Sequence, residues 1–197
     1  IWSGQLFLAG ISLRWFFLLF SLLGFGILLG YNIFPHVKRR IDCFINAPCE
    51  GFDQIKNSFL AYESGGLLGN GPGDGIIKNK ISDAHTDFIF PVIAEEFGAI
   101  FCILILLLSC SIVIRGLIRV YSKNNLFSLL AVGGLLILFG IQVLLNVSVT
   151  LGIVPTTGIT FPFISYGGSS LLSISISMGI VLALTKKDYS REKYERN

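Results

Sequence analysis

The stretch Phe88–Ile114, FIFPVIAEEFGAIFCILILLLSCSIVI, decides the class of this protein. A helix needs about 20 mostly apolar residues to cross a hydrocarbon core roughly 30 Å thick, and here only Glu95 and Glu96 interrupt the run. Three further stretches have the same character: Leu13–Phe34, Leu126–Leu151 and the shorter, serine-diluted Ser169–Leu184. The composition agrees, since 53% of the 197 residues are hydrophobic and 14% charged, against about 25% charged in soluble domains. The expected fold is all-α: a polytopic transmembrane helix bundle with spans at about 13–34, 88–114, 126–151 and 169–184. The chain opens on Ile1 without a charged segment, apolar core and small-residue cleavage site in succession, so no cleaved signal peptide is expected.

Orientation follows from where Lys and Arg fall around short loops. Arg14, the loop with Arg115, Arg119 and Lys123, and the tail 185–197 with Lys186, Lys187, Arg191, Lys193 and Arg196 gather on one side. That side is expected to be cytoplasmic, which leaves 35–87 and 152–168 as outer loops. The net charge of +3 is then a topological signal, and no nucleic-acid partner is expected. Cys102 and Cys110 fall inside a span as small apolar packers. Cys43 and Cys49 fall in the long outer loop, where an oxidising compartment would permit a disulfide that spacing alone does not decide.

Within that loop, FDQIKNSFLAYESGGLL (Phe52–Leu68) spaces Ile55, Phe59, Leu60 and Leu67 as a short helix lying on the membrane surface would. The run GGLLGNGPGDG, Gly65–Gly75, frees the backbone to turn. It lacks the Gly-Lys-Ser/Thr of a phosphate loop and any GxGxxG register, so it is not a nucleotide site; it reads as a tight irregular loop or as the wall of a cleft. The second outer loop, VPTTGITFPFISYGGSS (Val154–Ser170), is expected to dip or fold back. That is tolerated at membrane depth only where protein or water satisfies its backbone.

Acidic residues crowd the mouth of the deciding stretch, in SDAHTDFIFPVIAEEFG (Ser82–Gly98). Asp83, His85 and Asp87 match no strong zinc spacing, which leaves the metal unknown, although an oxygen-ligated divalent ion shared with a substrate phosphate fits. Asp87 stands near the positive end of a helix, either as an N-cap or as a catalytic group. Glu95 and Glu96 lie eight residues further on, roughly 12 Å along the helix, where a carboxylate must face protein or a watery cavity. That separation exceeds the ~5–9.5 Å of glycosidase carboxylate pairs, which disfavours a two-carboxylate hydrolase.

Three long motifs in one order, SGGLLGNGPGDG (Ser64–Gly75), AHTDFIFPVIAEEFG (Ala84–Gly98) and LGIVPTTGITFPFISYGGSSLL (Leu151–Leu172), resemble the SEDS family of bacterial cell-wall proteins, the FtsW, RodA and SpoVE group. The resemblance covers essentially the whole chain but only the second half of the family's bundle, its last four spans. PTTGIT and RRIDCFINAP (Arg39–Pro48) look closer to FtsW, the cell-division branch, than to RodA. The resemblance implies a multi-pass protein of the bacterial inner membrane, a peptidoglycan glycosyltransferase that polymerises lipid II on the outer face. Its implied partners are a class B penicillin-binding transpeptidase and other divisome membrane proteins.

The resemblance also makes Asp87, in HTDF, the catalytic residue. His85, Thr86, Lys78, Lys80, Ser165, Tyr166, Gly167 and Gly168 are expected around the substrate, with Glu95 and Glu96 in support. A pyrophosphate leaves without a proton, so one general base suffices. The leaving group calls for positive charge, from a divalent cation such as Mg or Mn or from Lys56, Lys78 and Lys80, with Arg39 and Arg40 behind; no organic cofactor is expected. The family's first half completes the groove, so catalysis is expected of the complete bundle. Two rival readings are a lipid II flippase, with Glu95 and Glu96 as its central residues, and a non-catalytic structural member of the divisome.

Overall fold

A computed structural model describes residues 4–6, 9–10, 13–45, 52–122 and 125–186. The described residues are helical, with no strand among them. From Leu13 onward the described residues form, in order, α1 (Leu13–Ile33), α2 (Pro35–Ile45), α3 (Phe52–Gly65), α4 (Ile89–Tyr121), α5 (Leu126–Thr150) and α6 (Gly168–Thr185), with a 3₁₀ turn at Ile77–Lys80. Among them α4, α5 and α6 are long and apolar enough to cross a membrane, and α1 contributes a shorter apolar stretch, Phe17–Ile33. This is a polytopic helical membrane fold, as the hydropathy pattern requires. The pairing of Cys43 with Cys49 lies outside the described residues.

Pro35 explains the first corner. A residue before proline is driven out of the helical region, and α1 ends at Ile33 with α2 starting on Pro35 itself. The hydroxyl of Tyr31 donates to Asp42 Oδ1 at 2.9 Å across the bend. Helices α4, α5 and α6 pack together around Phe90, Cys102, Phe139, Val143, Phe161 and Ile174. Phe161 comes from the 151–167 loop, so that loop does fold back into the bundle, 2% exposed and stacked on Phe90 at 5.5 Å.

The stretch that decides the fold is not one helix. Gly98, at φ +80° and ψ 173°, breaks α4. In an unbroken helix the amides of Ala99 and Ile100 would bond to the carbonyls of Glu95 and Glu96. Here the chain 66–71 is inserted instead: Ala99 N–H donates to Gly66 O and Ile100 N–H to Leu67 O, while Asn70 and Gly71 N–H donate to Glu95 O and Glu96 O. These four backbone groups are thereby paired again. The insertion needs bare backbone, because a Cβ on Gly65 would stand 1.9 Å from Ala94 O, and one on Gly69 2.2 Å from Glu96 O.

Two expectations are corrected. Helix α3 does not simply lie on a membrane surface: Ile55, Ser58, Ala61 and Gly65 form a buried face packed against α4, while Phe59, Leu60 and Leu67 remain exposed. Glu95 and Glu96 do not lie within a continuous span, since the uncharged part of α4 runs from Phe97 to Ile114, and both acids stand on the far side of the break. Gly98→Ala is expected to cost about 2–4 kcal/mol, because it combines a Gly-only conformation with a Cβ 2.3 Å from Leu67 O. A melting temperature of the purified protein equal to wild type would show that the inserted loop does not need this break.

Candidate active site

Asp87 lies in the turn 82–88 that leads into α4. It is not the helix cap: the N-cap is Phe88, with no side-chain capping bond. Its backbone is fixed by Asn146 of α5, 1% exposed, whose Nδ2 donates to Asp87 O at 2.8 Å and to Ile159 O at 2.7 Å. One amide therefore ties the Asp87 turn to the 151–167 loop. Ser165 makes a second tie, its Oγ donating to Thr86 O and accepting from Phe161 N–H. Tyr166 N–H donates to His85 O at 2.9 Å as a third. Two motifs distant in sequence, the Asp87 turn and the 151–167 loop, thus meet beside α5 at one end of the bundle.

They enclose a cleft of about 230 Å³. Helix α3 contributes Gln54, the turn Asp83, Asp87 and Phe88, α5 Val149, and the loop Thr156, Thr157, Gly158 and Ile159. Gly158, at φ +70°, brings its backbone close to the carboxyl, since a Cβ there would sit 3.6 Å from Asp87 Oδ2. Burial, and then the charge of Asp83, raise the pKa of Asp87 above the ordinary aspartate value. Asp83 is held by Gln54 Nε2 at 3.0 Å.

The acids of this region now separate by their partners. Glu95 is 0% exposed, and its carboxylate accepts from Ile76 N–H and Ile77 N–H at 2.8 Å and from Lys78 N–H at 3.0 Å. Gly75, whose Cβ would lie 2.9 Å from Oε2, leaves room for that approach. Glu96 pairs with Lys78 Nζ at 2.6 Å. Asp87 alone of these carboxyls faces the cleft with no hydrogen bond to its side chain from any described residue.

Several residues expected around the substrate do other work. Lys78 is engaged by Glu96 and by Gly73 O and does not line the cleft. Ser165 is a buried tie, Gly167 is the N-cap of α6 and Gly168 its first residue. Tyr166 is 80% exposed, and His85 and Thr86, within the Asp87 turn, and Lys80, just before it, do not line the cleft. Gln54 escaped the sequence reading, since an amide on an amphipathic helix gives no signal. Thr156 and Thr157 were visible only as part of PTTGIT. Ser165→Ala is expected to orphan Thr86 O and Phe161 N–H, costing about 1.5–3 kcal/mol. Deuterium exchange should then rise in 83–88 and 159–166 and not in 126–140; unchanged exchange would contradict the tie.

The model of the cell cycle protein family FtsW/RodA/SpoVE matches residues 1–190. The chain belongs to this family. Among FtsW/RodA/SpoVE relatives, it is 40% identical over 91% of its length to the probable peptidoglycan glycosyltransferase FtsW of Caulobacter vibrioides, of which it covers 46%. It is 38% identical to that of Lactococcus lactis, with 95% of this chain and 49% of the relative aligned. The peptidoglycan glycosyltransferase RodA of Mycobacterium bovis is 33% identical over 91% of this chain and 39% of its own. A solved structure described as "Structural coordination of polymerization and crosslinking by a peptidoglycan synthase complex" aligns with a TM-score of 0.70 and 27% identity, over 95% of this chain and 53% of that one. The chain thus spans about half the length of the FtsW/RodA/SpoVE relatives it matches.

Proposed function

We propose that the chain supplies the catalytic cleft of a lipid II-polymerising peptidoglycan glycosyltransferase of the cell-division machinery, with Asp87 as general base. The observation that carries this reading is the Asp87 carboxyl, open to the cleft and without a hydrogen-bond donor among the described residues, while Glu95 and Glu96 are satisfied by the loop. A base must keep a lone pair free for the proton it takes.

In the proposed step the acceptor sugar's 4-hydroxyl attacks the anomeric carbon of the donor. The new C1–O4 bond forms as the bond from C1 to undecaprenyl pyrophosphate breaks, and the hydroxyl proton passes to Asp87. The raised pKa of Asp87 makes it a stronger base than an ordinary aspartate. Gln54, Thr156 and Thr157 line the same cleft with donors and acceptors suited to sugar hydroxyls.

Among the described residues no group of three or more His, Cys, Asp or Glu could hold a metal. Mg²⁺, however, needs only one or two carboxylates beside substrate phosphates. Asp83 fits that use, leaving Asp87 free, and a divalent ion bound there would offset charge on the departing pyrophosphate. The flippase reading takes Glu95 and Glu96 as its central intramembrane residues, and their bonds to the 76–78 amides and to Lys78 favour an anchoring role for both instead.

The cleft is proposed to face outward from the bacterial inner membrane, opposite Arg115 and Arg119, with a class B penicillin-binding transpeptidase as the crosslinking partner. The neighbour's description as a synthase complex that couples polymerisation to crosslinking supports that partner. The test is labelled lipid II supplied to the complete bundle and its transpeptidase in proteoliposomes, with penicillin present to block crosslinking. Glycan ladders on a gel are expected, and their absence under conditions that support a known polymerase would overturn the proposal.

A further inference from the structure

A second concavity lies between α4 and α6, toward the end of the bundle where Arg119 and Thr185 stand. It is an apolar cleft of about 320 Å³, within the ~300–1,000 Å³ range of small-molecule sites. Leu136, Met178, Val181 and Leu182 form its walls. Gly116 lets α5 approach so closely that a Cβ there would stand 2.5 Å from Leu136. Phe163, held at φ +62° with its ring 6.1 Å from Phe139, closes the far end.

Arg115 and Arg119 line the same cleft and are exposed. Four residues apart, they share one face of the helix. Neither has a carboxylate within ion-pair distance among the described residues. An apolar trough that ends in two guanidiniums with no carboxylate partner among the described residues is complementary to an acyl chain joined to a phosphate. Guanidinium forks match phosphate oxygens, and basic pockets between transmembrane helices bind anionic lipid head groups.

We propose that this cleft holds one anionic phospholipid, its acyl chain along Met178 and Leu182 and its phosphate on Arg115 and Arg119. Charge selects this occupant over the alternatives. A helix packed into the trough would cover its walls but offer the two guanidiniums no phosphate, and inorganic phosphate would leave the apolar walls uncovered. The proposal is independent of what Asp87 does.

The test uses the purified protein in nanodiscs of phosphatidylcholine doped with phosphatidylglycerol, with retained lipid counted by native mass spectrometry. At about fivefold per arginine, wild type should prefer phosphatidylglycerol by roughly 25-fold. Arg115→Gln with Arg119→Gln should abolish the preference, and the double Lys replacement should keep part of it. Leu182→Trp, at an exposed position, should lower retention of either lipid without touching the charges. No preference in wild type would mean that another segment covers the trough and would overturn the proposal. Equal retention by the double Gln variant, or displacement by millimolar inorganic phosphate, would do the same.

Discussion

Replacing Asp87 by Asn is expected to lower glycan polymerisation by about 10²–10⁴-fold, the usual contribution of a positioned general base. The substitution is nearly isosteric, and the contact that fixes this turn uses the Asp87 carbonyl, bonded to Asn146 Nδ2, which Asn retains. No described residue donates to the carboxyl that is lost. Folding should therefore be unaffected, and the loss should appear in kcat with little change in KM. The pH profile supplies an independent readout. A base works only when deprotonated, and burial and Asp83 push the pKa of Asp87 up, so activity should fall away as pH drops through a value above the ~3.9 of an ordinary aspartate. Ladders from Asp87→Asn at the wild-type rate would remove Asp87 from the chemistry. An acid limb at or below the ordinary value would contradict the environment described for it.

Glu95→Ala should be the most damaging change to stability, at about 4–6 kcal/mol. Hydrogen bonds to a charged acceptor contribute about 1.5–3 kcal/mol each, and this carboxylate holds three backbone amides, from Ile76, Ile77 and Lys78. Alanine would leave all three orphaned beside a void. Glu95→Gln keeps one acceptor oxygen but turns an N–H₂ toward an amide, so it should fall between the two. Thermal unfolding gives the cost, and exchange of the Ile76–Lys78 amides localises it. If those amides stay protected in Glu95→Ala, the carboxylate is not what holds the loop. Polymerisation by Glu95→Gln should fall in proportion to its unfolded fraction, which separates anchoring from a direct chemical role.

Much of this was legible in sequence because its signals are local. Apolar runs longer than a bilayer is thick announce α4 and α5, and a shorter, serine-diluted run announces α6. Asp87 stood out as an acid at the mouth of such a run. The break in α4 was not legible: Gly98 is one glycine in an apolar run, and a lone glycine is tolerated in most helices. What opens the helix is a loop some thirty residues upstream, a tertiary effect outside any periodicity window. The pairing of Lys78 with Glu96 was not legible for the same reason, since spacing along a continuous helix sets Glu96 at another depth. Ser165 was found through its motif, but its work, accepting from Phe161 N–H and donating to Thr86 O, depends on which backbone groups the fold-back brings to it, and residue types do not encode that.

The segment 65–78 has the composition of slack, rich in glycine with a proline and exposed polar residues. Surface loops of that kind ordinarily drift in length between relatives and accept inserted residues. This one has no such freedom. Two of its amides and two of its carbonyls stand in for the missing rungs of α4, and three more amides grip Glu95, so adding or deleting a single residue would put both sets out of step. In its tolerance of length change, the segment belongs with the helices it joins.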